Sequence, residues 1–174
     1  MNLNRLIQAA IFSSISIGLG FMFMFIPNVE FITVTVFLSG FTLGTFYGGL
    51  VGSMSMMIYS VMNPIGSGLI YITLLIGQIT AMMIIGIIGS FSKLLLKNQK
   101  HIIIIIVSGT FGFICTLFYD SITTLAYPMS AGYNWEQTIA YAISGLLFTF
   151  FHLISNTIIF SIVVPAYIKR KESE

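Results

Sequence analysis

From Phe31 to Ser92 the chain carries no Asp, Glu, Lys or Arg. So long an uncharged stretch cannot coat a soluble body, because water-facing surfaces bring a globular chain to about a quarter charged residues. The remainder is hardly richer, with 7 Lys and Arg and 5 Asp and Glu among 174 residues. The chain is 57% hydrophobic and its mean hydropathy is +1.01, so most of it must face lipid. A helix needs ~20 apolar residues to cross a ~30 Å hydrocarbon core. The length therefore accommodates six or seven crossings in a single membrane domain over residues 1–174, without room for a nucleotide-binding domain.

Glycine and proline clusters and polar runs punctuate the apolar pattern. They divide it into spans at about 6–26, 32–43, 49–62, 69–91, 102–126 and 138–168, the second and third short. The first run follows Arg5, is longer than the apolar part of a signal peptide and lacks a small-x-small cleavage site, so it reads as a retained helix. The short pair fits either two tilted, thin-spanning helices or a re-entrant hairpin; both have the same parity. Cytoplasmic loops collect Lys and Arg. With Arg5 inside, Lys93, Lys97 and Lys100 return to the inside after four crossings, and Lys169, Arg170 and Lys171 after six. The expected fold is an all-α integral membrane protein of six transmembrane helices with cytoplasmic N and C termini. The outer segments 27–30, 63–68 and 127–136 then contain no Lys or Arg. The net charge of +2 reports this topology and gives no sign of nucleic acid.

Small residues mark helix interfaces in lipid, where backbones must approach closely. Rows at i+4 spacing are Ala10, Ser14 and Gly18; Gly40 and Gly44; Gly48 and Gly52; and Ser108, Gly112, Thr116, Asp120 and Thr124. Packing within the monomer explains such rows, and the first also reads as a face for a separate subunit. A carboxylate within a span costs several kcal/mol and normally faces the bundle interior or a wet cavity. Asp120, about two turns below the expected outer end of helix 5, is such a group. Gln78 on helix 4 and His152 with Asn156 on one face of helix 6 are further buried polar candidates. His152 has no HxxxH or HxxE partner, and the lone Cys115 excludes an internal disulfide, so no metal site is expected.

The outer segments supply Asn28, Glu30, Asn63, Tyr127, Tyr133, Asn134, Trp135 and Glu136. Rings with amides and carboxylates suit a small, flat, polar ligand, although an interfacial aromatic belt also recruits tyrosines. The expected site has Gln78, Asp120 and His152 as floor, with Asn28, Glu30, Asn63, Tyr127, Asn134 and Trp135 as lid and walls. No GxxxxGK[ST] loop and no GxSxG elbow is present. The chain is therefore expected to be no enzyme, to need no cofactor and to draw any energy for transport from a partner or an ion gradient.

Six helices with both ends inside, the loop Ile26-Pro27-Asn28-Val29-Glu30, a short glycine-bordered second helix, the stretch Gly48-Gly49-Leu50-Val51-Gly52 and the Asn63-Pro64 loop resemble the S components of energy-coupling factor transporters. The resemblance covers nearly the whole chain and lies in architecture more than in residues. It implies a prokaryotic plasma-membrane subunit that binds a vitamin or related micronutrient at its outer side. Such a subunit docks through helix 1 on a transmembrane coupling subunit carrying two ATPases. The family's helix 1 pattern is Ala-x-x-x-Ala; here Ala10 and Ser14 occupy the matching positions, so close approach survives with one identity changed. A non-transport membrane scaffold and a stand-alone secondary transporter remain the competing classes. The first leaves Asp120 and His152 without a role. The second normally shows internal repeats and more intramembrane acids.

Overall fold

The computed structural model describes residues 3–65 and 68–172; Gly66 and Ser67 of the second expected outer loop, and residues 1–2 and 173–174, lie outside the described residues. Among the described residues six helices follow one another: α1 Leu3–Phe23, α2 Ile32–Leu43, α3 Thr45–Met62, α4 Ile72–Leu96, α5 His101–Ala131 and α6 Trp135–Glu172. No strand occurs among the described residues. Four of the helices (α1, α4, α5 and α6) are long and apolar enough to cross a membrane, and α2 is a shorter apolar helix.

Local chemistry explains where these helices begin and end, and it moves several expected boundaries. Helix α1 stops at Phe23, short of Pro27, because two tight turns follow, closed by Ile26 N–H to Phe23 O and Val29 N–H to Ile26 O. Asn28, inside the second turn, has φ +62°, a left-handed conformation that Asn tolerates better than most residues. The Glu30 carboxylate then accepts the Thr33 N–H at 3.0 Å, satisfying an orphan donor at the start of α2. The expected break over Gly44–Gly49 shrinks to Gly44 alone, at φ +93°. Helix α3 starts at Thr45 and runs through Gly48 and Gly49, the first of which is packed directly against the Gly40 and Gly86 backbones.

Helix α4 begins at Ile72 and runs to Leu96, past the expected 69–91. Helix α5 continues through Pro128 to Ala131, where the expectation had placed a polar loop from Tyr127 to Glu136. Its true stop is Gly132, left-handed at φ +72°, with the N–H groups of Gly132 and Tyr133 on the Pro128 carbonyl. The extension past Pro128 also serves α4, whose Leu74 N–H donates to Ser130 Oγ at 3.2 Å. Helix α6 starts at Trp135, earlier than 138, on a reciprocal cap in which Asn134 Oδ1 takes the Gln137 N–H and Gln137 Oε1 takes the Asn134 N–H, both at 2.9 Å.

Helix α2 is the hub. It touches each of the other five helices, and nearly all of its residues are buried. Helices α2, α3 and α4 meet along a glycine seam: a Cβ on Gly40 would strike the Gly86 carbonyl, one on Gly48 the Gly40 Cα, and one on Gly86 the Gly48 carbonyl. On the other side, the row Ser108, Gly112, Thr116 and Asp120 of α5 is buried. It faces the buried i+4 row His152, Asn156, Phe160, Val164 and Ile168 of α6, so this small-residue row is internal packing. Thr124, the last member of the expected row, is only half-buried. Helix α1 rests on α2 and α3 alone and does not touch α6. At its far end the α2–α3 turn reaches the basic ends of α4 and α6. Thr42 Oγ1 lies 2.8 Å from Tyr167 OH, and Lys93 Nζ lies 5.5 Å from the centre of the Phe41 ring.

Candidate functional site

At the opposite end from the lysines, all six helices contribute to one cavity of about 340 Å³. The end of α1 and the loop that follows it form one side, with Gly20, Phe23, Asn28 and Glu30. Ile32 and Thr33 of α2 and Met56 and Tyr59 of α3 form another. Gln78 of α4, Tyr119, Asp120 and Thr123 of α5, and Phe148 and His152 of α6 complete it. A second cavity of about 390 Å³ adjoins it between α4, α5 and α6. Gln78, Asp120, Thr123 and Phe148 line both, so they partition the two chambers. Tyr127 and Tyr141 line the second chamber, stacked with ring centres 5.0 Å apart, and Tyr71 packs on Tyr127 at 4.9 Å.

A continuous polar chain stands at the wall of the first cavity. Asp120 and His152 are only 7% and 6% exposed, and the His152 Nδ1 sits 3.0 and 3.1 Å from the two Asp120 carboxylate oxygens. Facing a carboxylate, Nδ1 carries a proton and donates it to Asp120. Asn156, one helical turn below, points its Nδ2 at His152 Nε2 (3.1 Å), Thr116 Oγ1 (2.9 Å) and Glu30 Oε1 (2.9 Å). The neighbouring carboxylate dictates this amide orientation, since only the NH₂ end can face Glu30. Glu30 also stands 3.9 Å from His152 Nε2. Burial pushes the Glu30 carboxyl up, but the His152 ring and the Thr33 donors outweigh it and hold the group below its ordinary value. The α1–α2 loop is thereby fastened across the bundle to α6, through a charge that would be expensive to bury alone.

Of the nine residues expected at the site, Asn28, Glu30, Gln78, Asp120 and His152 line the first cavity, and Tyr127 lines the second beside Gln78 and Asp120. Asn63, Asn134 and Trp135 line neither of these two cavities. Asn63 caps α3 and spends its Oδ1 on the Ile65 N–H at 2.9 Å, a local turn contact. Asn134 is spent on the α6 cap, and Trp135 is 71% exposed. The cause is helix length. With α5 ending at Ala131, Asp120 lies three turns below its end, about 16 Å, and His152 lies about 25 Å along α6 from Trp135. The expected lid over this side is too far away, and among the described residues the α1–α2 loop is the one connecting segment that lines the first cavity. The expectation missed Tyr59, Tyr119, Thr123 and Phe148 on the lining, and Thr116 and Asn156 behind it. Its i+4 spacing from His152 marks Asn156 in the sequence as a buried polar candidate, without placing it at the site.

On α1 the two faces are distinct. Ala9, Ser16 and Gly20 are buried, whereas Ala10, Ser14 and Gly18 are exposed, with no heavy atom within 4 Å of a Cβ built on Gly18. Ser14 Oγ is satisfied by its own helix, donating to the Ala10 carbonyl at 2.9 Å. Among the described residues no three of His, Cys, Asp and Glu are grouped to hold a metal ion. Comparison of the chain with models of protein families, with curated proteins and with solved structures gives no match.

Proposed function

We propose that this chain is the solute-capturing subunit of an importer of the energy-coupling factor type, an S component for a vitamin or related micronutrient. In this reading it spans the plasma membrane of a prokaryote six times with both ends inside, takes its solute from the outside, and docks on a transmembrane coupling subunit carrying two ATPases. The observation that carries the reading is the cavity itself. Six helices converge on a chamber of about 340 Å³, within the ~300–1,000 Å³ range of small-molecule sites. Buried polar groups line it and a short loop closes over it. A scaffold subunit has no use for such a chamber.

Depth supports an outward opening. Gln78 lies about 22 Å from Lys93 along α4, His152 about 25 Å from Lys169 along α6, and Asp120 about 30 Å from Lys100 along α5. With the basic residues at the inner surface, the polar groups fall in the outer part of a ~30 Å core. The reach of the α2–α3 turn to Tyr167 and Lys93 supports two full crossings over a re-entrant hairpin. In a Cys115→Ala background, a membrane-impermeant maleimide applied to intact cells should label Asn134→Cys and spare Lys97→Cys. The reverse pattern sinks the topology.

The exposed row Ala10, Ser14 and Gly18 supports docking through α1, since small side chains let two helix axes approach closely. Ser14→Trp should abolish cellular accumulation of the solute and leave its affinity for the purified chain within about twofold, because the row faces away from the cavity. Equal loss of affinity and accumulation would mean that the row is not a docking face.

A further inference from the structure

We infer that the solute is a small cation that donates N–H hydrogen bonds from a flat apolar body, and that the Asp120 carboxylate receives it. This rests on the capture function proposed above and narrows its substrate class. The inference comes from counting donors and acceptors around the cavity. Both oxygens of Glu30 are committed to protein, Oε2 to the Thr33 N–H and Oε1 to Asn156. The Gln78 Oε1 is taken by the Ser60 hydroxyl at 2.9 Å. Asp120 is different. Its two oxygens share one donor, the single proton on His152 Nδ1, although a carboxylate has about four lone-pair sites. Asn28 Oδ1, on the same lining, is buried with no hydrogen-bond partner among the described residues. Asp120 and Asn28 thus leave acceptor capacity on the lining, which a bound molecule with N–H donors would fill.

Charge points the same way. Among the described residues two carboxylates, Glu30 and Asp120, line the first cavity, and His152 is the one side chain on it that can be cationic. All seven Lys and Arg lie at positions 5, 93–100 and 169–171, toward the other end of the bundle. Even with His152 protonated, the lining keeps a net negative charge. An anionic solute would meet that charge in a poorly solvated chamber with no free cation to pair with, whereas a cation neutralises it. Tyr59, Tyr119 and Phe148 on the lining bring aromatic rings to the chamber, and ring faces attract cations.

Benzamidine, benzamide and benzoate share one flat body and differ in charge, so they separate the alternatives. Calorimetry and thermal-shift measurements on the full chain in detergent, freed of co-purified solute, should rank them in that order. Benzamidine should bind at least about tenfold more tightly than benzamide, the difference expected when a hydrogen bond becomes charge-assisted. Benzoate should not bind measurably. Asp120→Asn should erase the preference for benzamidine over benzamide. Protection of the Asp120 carboxyl from carbodiimide coupling by benzamidine, read by peptide mass spectrometry, gives the same answer on the unaltered sequence. Benzoate binding as tightly as benzamidine overturns the inference and leaves capture intact. So does the absence of benzamidine binding up to ~10 mM while another small molecule co-purifies with the chain. An Asp120 that reacts equally with and without bound benzamidine removes its assignment as the receiving group. If no probe binds and nothing co-purifies, the capture reading fails as well.

Discussion

Gly86→Val abolishes the fold. A side chain at this position must occupy the place of the Gly48 carbonyl, and the Gly48 and Gly40 backbones are themselves in contact. Three helices would have to separate, among them α2, which touches every other helix in the bundle. Inserting methyl groups into a packed interior typically costs ~1–3 kcal/mol where side chains can move aside. Here the obstacle is backbone, so the cost should exceed that range, and size-exclusion chromatography in detergent should give aggregate in place of a single peak. Gly18→Ala is the control. With open space around it, the added methyl should leave the elution unchanged and raise thermal stability slightly, as for Gly to Ala in an exposed helix. A monodisperse Gly86→Val protein melting near the parent temperature would refute the seam.

The second large effect is electrostatic. Asp120→Ala leaves His152 without its carboxylate partner in a buried wall, and breaking a buried pair from one side costs ~3–5 kcal/mol. The loss should also loosen the α1–α2 loop, because His152 and Asn156 together hold Glu30. The double variant Asp120→Ala/His152→Ala removes the stranded group, so its destabilisation should fall well below the sum of the two single variants. Thermal unfolding of all four proteins in one detergent measures this cycle. Strict additivity would mean that the two side chains do not act as a pair.

Much of the fold is legible in the residues, because lipid imposes simple rules. The uncharged stretch from Phe31 to Ser92 and the placement of the seven basic residues were enough to anticipate a helical chain built for lipid, and six helices are found. The i+4 row through Asp120 was readable as an interface, and it is buried against α6. What misled was punctuation. Pro128 looks like the end of a helix, yet α5 tolerates it and stops at Gly132. Asn134 looks like a ligand group, yet with Gln137 three residues on it is a capping pair. Gly48 looks like part of a turn, yet it serves the close contact with α2 and α4. In each case one residue type serves two physical roles, and only tertiary packing decides between them. The same holds for the site. Buried polar residues at one depth, Gln78, Asp120 and His152, could be grouped from sequence because lipid drives them together. The aromatic lining of Tyr59, Tyr119 and Phe148 could not, since an apolar ring gives no signal within an apolar chain.

The most direct measurement is mass spectrometry of small molecules released from the full chain after purification in detergent, compared with Thr123→Trp. Thr123 lines both chambers at their partition, so an indole there would occupy the space a solute would take. The parent protein should release one defined small molecule at a stoichiometry approaching one per chain, and Thr123→Trp, folded and monodisperse, should release little of it. Equal amounts from both proteins, or no specific molecule from the parent, would contradict capture of a solute in this cavity.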